Sequence, residues 1–160
     1  MENELKGKPV SASRTEQVQI LLFSNMNGYN RLFGGKLMEW IDVVAAVVAR
    51  RHCGNDVTTA VVDSLQFTAP AYVNDTIIMV GYITYAGKTS MEICVRTFVE
   101  NLDGSRREIN KAYLVMVAID NKGEPVRVPP VIAETDEEKR EFSEALKRRE
   151  YREFRRRENF

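Results

Sequence analysis

The sequence predicts an α+β fold in which a curved antiparallel sheet wraps one long helix, followed by a charged C-terminal helix. Between Gly35 and Cys53, apolar residues occur at every helical angle, which is typical of a helix surrounded by protein. Four β-rich segments then follow, separated by short turns that force neighbouring strands to pair antiparallel: 57–69, 76–86, 89–100 and 107–120.

The composition is that of one globular domain, with 160 residues of which 44% are apolar and 29% charged. The 23 Lys and Arg balance the 23 Asp and Glu, so no overall charge favours nucleic acid or an anionic membrane. No apolar run approaches the roughly 20 residues of a membrane span, and the N-terminus lacks the apolar block of a signal peptide. We therefore expect a cytoplasmic protein with no membrane partner, and both Cys53 and Cys94 reduced.

The elements divide the chain into a loose leader over 1–13, a central domain over 14–133 and a charged helix over 134–160. A first strand is predicted at 14–23, before a polar loop. In 91–100, apolar and charged residues alternate, which predicts a sheet with one wet face. Segment 77–85 is apolar on both faces, so it is either central or covered by another copy.

The C-terminal segment resembles a solvated helix that begins with a capping box at Thr135 and Glu138. Its acidic start and basic end suit the helix dipole. A basic tail that binds RNA is the alternative interpretation, although no nucleic-acid partner is expected because none of the usual binding modules accompanies it.

Several chemistries lack the residues they need. His52 is the only histidine, and it lies before Gly54 at a predicted helix end, where a cation suits the dipole. The chain has no closely spaced metal ligands and no glycine-rich nucleotide motif. We expect neither a metal nor a cofactor.

Asp42 is the unusual residue of the central helix, because an ionised carboxylate among apolar neighbours must be paired or wet. One interpretation places it with Glu39 on the wet face of an amphipathic helix. The other makes it a base or nucleophile at the edge of a cleft. Spacing alone leaves both open.

Five blocks in order resemble the hotdog-fold acyl-CoA thioesterases, in register from about residue 14 to 140. They are Asn27-x5-Phe33-Gly34-Gly35-x6-Asp42, Arg50-Arg51-His52-Cys53, Val61-Val62-Asp63-Ser64-Leu65-Gln66-Phe67, Lys88-Thr89-Ser90-Met91-Glu92-Ile93 and Val128-Pro129-Pro130. The resemblance implies hydrolysis of acyl-CoA to a fatty acid and CoA, with Asn27 polarising the thioester and Asp42 as base or nucleophile. The family often has glycine at Asn30, and asparagine also tolerates the left-handed geometry this requires.

Thioester hydrolysis needs hydrogen-bond donors for the carbonyl oxygen, and the free amides at Gly34 and Gly35 are candidates beside Asn27. These glycines are alternatively a tight entry turn. Because seven helical residues separate Gly35 from Asp42 by about 10 Å, one helix cannot easily supply both donor and base. We infer a site shared between two copies, and the resemblance implies at least a dimer and allows a trimer of dimers.

Coenzyme A carries phosphates, for which Lys88, Ser90 and Arg51 are candidate contacts, with plain solvated side chains as the alternative. CoA is here part of the substrate. The rival function is a non-catalytic acyl-CoA sensor, or a hotdog dimer whose basic tail binds a partner or RNA.

Overall fold

The structure is a computed structural model that describes residues 4–160. Its elements are, in chain order, β1 (Lys8–Pro9), β2 (Thr15–Ile20), α1 (Gly34–Cys53), β3 (Asp56–Phe67), β4 (Thr76–Ala86), β5 (Ser90–Glu100), β6 (Arg106–Ile119), β7 (Val131–Ile132) and α2 (Asp136–Glu158). The predicted long helix and the four predicted strands are confirmed, and the first strand is shorter than predicted.

Five strands form one antiparallel sheet in the order β2-β4-β5-β6-β3, so β2 and β3 are its edges. Helix α1 packs on one face of this sheet and α2 on the other. The neighbouring residues Gly81 and Tyr82 of β4 show the two faces, because Gly81 lies against Val44 of α1 and Tyr82 reaches Glu141 of α2. Strand β4 lies inside the sheet between β2 and β5, which is the first of the two alternatives that its apolar faces allowed.

Helix α1 is buried along most of its length because its apolar side chains pack against one face of the sheet. Those that are nearly inaccessible are Leu37, Ile41, Val44, Ala45, Val48 and Ala49. The helix ends at Gly54, whose φ of 69° is the left-handed conformation of a C-cap, and its N–H donates to the Arg50 carbonyl oxygen at 2.8 Å.

Helix α2 corrects two expectations from the sequence. The capping box of Thr135 and Glu138 is present, but the helix is not simply solvated, since Ala145 is fully buried and Glu141 is 6% exposed. The outer face of β5 was expected to be exposed to solvent, but α2 covers it. Glu92 is 1% exposed and accepts hydrogen bonds from two arginines of α2.

The expected loose leader over 1–13 is wrong for residues 8–12. Strand β1 pairs in parallel with β7, and Val10 in the following turn of 3₁₀ helix is 5% exposed. Residues 1–3 of the leader lie outside the described part of the chain. Cys53 and Cys94 are both free and buried, as expected. Within residues 4–160, no helix has the length and apolar character to cross a membrane.

Candidate active site

Asn27 lies in the loop before α1, where two hydrogen bonds fix its side chain. Its Oδ1 accepts from the backbone N–H groups of Tyr29 at 2.9 Å and Arg31 at 3.2 Å. The turn closes through Asn30, whose φ of 58° confirms that asparagine adopts the left-handed geometry there. No described residue accepts from the Asn27 Nδ2 group. The carboxamide therefore presents two N–H donors to a ligand.

The start of α1 adds backbone donors near Asn27. Phe33 is the N-cap in extended conformation and its side chain accepts no capping bond. The N–H groups of Gly34 and Gly35 find no acceptor among the described residues, whereas those of Lys36 and Leu37 bond the Phe33 carbonyl. Asn27 and Gly34 line a common cleft of about 370 Å³, which also contains Phe67 and Ala71. Gly35 is not among its lining residues.

Gly35 has a steric reason to be glycine as well. A Cβ there would lie 2.6 Å from Cε1 of the Phe33 ring, which packs over it, so a side chain would require this exposed ring to move. The entry-turn interpretation of the two glycines and the donor interpretation are therefore compatible, because the ring packs on the turn while both amides remain without an acceptor among the described residues.

Asp42 is partly buried and hydrogen-bonded, and it forms no ion pair with a described cation. The hydroxyl of Thr59 on β3 donates to Asp42 Oδ1 at 2.6 Å, and the sulfur of Met116 lies 3.4 Å from that hydroxyl. The Thr59 bond occupies one carboxylate oxygen and leaves Oδ2 for water or substrate. Asp42 does not line the Asn27 cleft of its own chain.

Thr59 was missed by sequence reasoning. A polar side chain on the α1 side of β3 is the signal that could have found it, but an irregularity in the strand immediately after Thr59 hides the alternation.

The three predicted CoA contacts do not meet in one chain. Lys88 is exposed in a cleft with Val128 and Pro130, and Ser90 lies in another cleft beside Arg149. Arg51 is engaged elsewhere, since its guanidinium donates to the Thr15 hydroxyl at 3.0 Å. Their role toward CoA stays a prediction.

His52 is not the expected cation at the helix end. Its side chain is fully buried, and Nε2 lies 2.8 Å from the Pro129 carbonyl oxygen. Burial lowers the pKa of the imidazole below its usual value, with the nearby Lys8 charge acting in the same direction. The neutral ring ties α1 to the segment before β7 and lies outside the cleft that contains Asn27.

A helix wrapped by a five-stranded antiparallel sheet, with donors at the helix start and a carboxylate along it, defines a protein of hotdog architecture. Residues 29–104 match the family model of the Thioesterase superfamily. The chain is 42% identical over 113 residues to the uncharacterized acyl-CoA thioester hydrolase YkhA of Bacillus subtilis. The matched region covers 70% of this chain and 66% of that protein. The chain belongs to the thioesterase superfamily.

Solved structures show the same similarity. An apo-hexameric acyl-CoA thioesterase superposes with a TM-score of 0.91 at 39% identity, over 94% of this chain and 97% of that one. The acyl-CoA hydrolase from Staphylococcus aureus in complex with butyryl coenzyme A superposes with a TM-score of 0.91 at 35% identity, over 95% of this chain and 93% of that one. Further structures of that hydrolase carry alanine in place of an aspartate, an asparagine or a threonine.

Some relatives are much longer than this chain. It is 30% identical over 146 residues to mouse acyl-coenzyme A thioesterase 11 and spans 25% of that protein's length.

Proposed function

We propose that the protein is an acyl-CoA thioesterase that hydrolyses acyl-CoA to a free fatty acid and CoA. The observation that carries the proposal is the presence of two preset groups in one chain: an Asn27 amide with unused N–H donors and an Asp42 carboxylate oriented by Thr59. The relatives named acyl-CoA thioester hydrolase or acyl-CoA thioesterase support this choice of substrate.

The reaction follows from these groups. The thioester carbonyl oxygen accepts from Asn27 Nδ2 and the amide of Gly34, which line the same cleft and stabilise the negative charge that develops on it. The amide of Gly35, the next residue, is a further candidate donor. Asp42 either removes a proton from a water that attacks the carbonyl carbon or attacks it directly and is released by water. The carbon–sulfur bond breaks, the CoA thiolate leaves and takes up a proton, and the acid is released. This route requires no metal or cofactor.

The geometry of one chain favours a site shared by two. Eight helical residues separate Gly34 from Asp42, which is about 12 Å along the axis, whereas a reacting carbonyl must lie roughly 3 Å from both donor and base. Within one chain, Asn27 and Gly34 line a cleft that Asp42 does not line. Asp42 of one protomer then faces the Asn27 cleft of its partner.

Edge strand β3 provides a surface for this dimer. No described strand pairs with its outer side over 12 residues, a length that proteins rarely leave open. Val62 on this strand and Met38 and Val43 on α1 expose 44 to 49% of their surface. A second copy covers these apolar groups together with Asp42 and Thr59, and the hexameric relatives are consistent with further assembly.

The proposal is tested by Asp42→Asn, which keeps the shape of the side chain and removes the base. Release of free thiol from acyl-CoAs of several chain lengths should fall at least about 10²-fold. Glu39→Gln is the matched control, because Glu39 lies one turn earlier on the same helix with an exposed carboxylate and should leave the rate unchanged. Binding of acyl-CoA by the native protein without thiol release would establish the sensor instead.

The basic tail offers little support for RNA binding. Carboxylates of the sheet engage Arg148, Arg152 and Arg155, so these charges are already paired in the fold.

A further inference from the structure

Strand β3 directs two side chains four residues apart to opposite faces of the sheet, which a regular strand does not do. Thr59 faces α1, where it bonds Asp42, while Asp63 faces α2, where it is held by arginines. Because side chains alternate along a strand, residues four apart should face the same side. The register toward β6 shifts twice in this interval, once between Thr59 and Val61 and once between Val62 and Ser64. These irregularities turn Thr59 and Asp63 to opposite faces.

Asp63 is the residue that the second shift leaves unpaired, and α2 holds it from the outer face. Arg152 Nη1 lies 2.9 Å from Asp63 Oδ2, and Arg155 bonds Asp63 Oδ1. The Asp63 side chain is 8% exposed and that of Arg152 is 10% exposed, so this contact is shielded from water. Arg152 also bonds the buried Glu92 on β5 at 2.8 Å, which ties the arrangement to the central sheet.

We propose that α2 is a positioning element for catalysis: Arg152 and Arg155 hold Asp63, and thereby fix the irregular register of β3 that aims Thr59 at Asp42. The role of this clamp in turnover rests on the proposed function, in which Thr59 orients the catalytic carboxylate. The clamp consists of Asp63, Arg152 and Arg155, and Asp63 lies four residues after Thr59 on β3. None of the three residues lines the Asn27 cleft.

The test uses Arg155→Gln in the full chain, because the Arg155 side chain is 44% exposed and bonds only Asp63 among residues 4–160, so the fold should survive its loss. We expect kcat to fall roughly fivefold with KM unchanged, since an ill-positioned Thr59 affects the chemical step rather than binding. Arg155→Lys keeps the charge and should recover most of the loss. Arg140→Gln removes an exposed arginine of the same helix for which no partner is found among the described residues, and should leave kcat unchanged.

The decisive comparison repeats Arg155→Gln in a Thr59→Ala background. If the clamp acts through Thr59, Arg155→Gln should cause no further loss of kcat in a protein that already lacks the Thr59 hydroxyl. An equal loss in both backgrounds, or full kcat in Arg155→Gln alone, overturns the proposal.

Hydrogen exchange separates this proposal from the proposed function. If Thr59→Ala and Asp42→Asn both keep full turnover, the proposed catalytic pair is wrong, and so is the role of the clamp in turnover. In that event, faster exchange of the amides of 58–64 in Arg155→Gln would still support the mechanical link, and unchanged exchange would overturn that link too.

Discussion

Two hydrogen bonds from its own loop decide which atom of Asn27 is free to bind. With Oδ1 used by the amides of Tyr29 and Arg31, the carboxamide cannot flip without leaving those donors unsatisfied. The side chain is therefore preset as a donor before substrate arrives, and this is the polarity that a developing oxyanion requires. The sequence predicted the residue and its role by resemblance, but the orientation needed the loop.

His52 gives a stability prediction at the same scale. The unfolded imidazole titrates near its usual pKa of 6.5, and burial lowers the pKa in the folded protein. As pH falls below that value, the unfolded chain takes up a proton that the folded chain does not, so the free energy of unfolding decreases. The contribution is complete above the unfolded pKa and is lost as pH falls toward the folded one. Urea unfolding between about pH 8 and pH 5.5 measures this slope.

His52→Gln is the matched variant for this measurement. Glutamine keeps an N–H donor for the Pro129 carbonyl and does not titrate, so its profile should be flatter over the same interval. Identical slopes in both proteins would show that the imidazole is not the cause.

The contact between α1 and the sheet depends on the absence of a side chain at Gly81. A Cβ there would lie 2.6 Å from Val44 Cγ1 and 3.0 Å from Val48 Cγ2, and both valines are stiff at χ1 in a helix. Gly81→Ala should therefore lower the free energy of unfolding by about 1–3 kcal/mol, as overpacking does. In a Val44→Ala background, where the first clash is removed, the same substitution should cost less in urea unfolding. A cost that is independent of Val44 would contradict the packing argument.

Elements whose apolar residues repeat with the period of a helix or a strand were predictable, and elements that depend on tertiary contacts were not. Helix α1 and strands β3 to β6 emerged from apolar patterning and turns within a residue or two. The outer face of β5 was wrongly predicted to face solvent. The sequence alternates apolar and charged residues in the same way whether the charged side chains are solvated or buried against arginines. Glu92 shows this, since its partners Arg148 and Arg152 lie more than 50 residues away. Strands β1 and β7 have 2 residues each and no period to detect.

At the scale of the whole molecule, the proposed site has a symmetry that one experiment can expose. In a two-fold dimer, each site combines Asp42 of one protomer with Asn27 of the other. A heterodimer of an Asp42→Asn chain and an Asn27→Ala chain then has one doubly damaged site and one intact site. Random pairing makes half of the dimers mixed, so co-expression of the two inactive variants should restore about a quarter of native activity. Sites contained within one chain would give no recovery.

The reverse combination provides the control. A chain that carries both Asp42→Asn and Asn27→Ala damages both shared sites of any dimer it enters, because it supplies the wrong residue to each. Co-expression with an equal amount of native chain should then lower thiol release about twofold relative to native homodimers at the same native chain concentration. If the native chain kept its full activity in the mixed dimers, Asp42 and Asn27 would act within one protomer. The distance of about 12 Å along α1 would then have to be closed by movement of the Asn27 loop, for which faster hydrogen exchange in residues 24–33 is the expected sign.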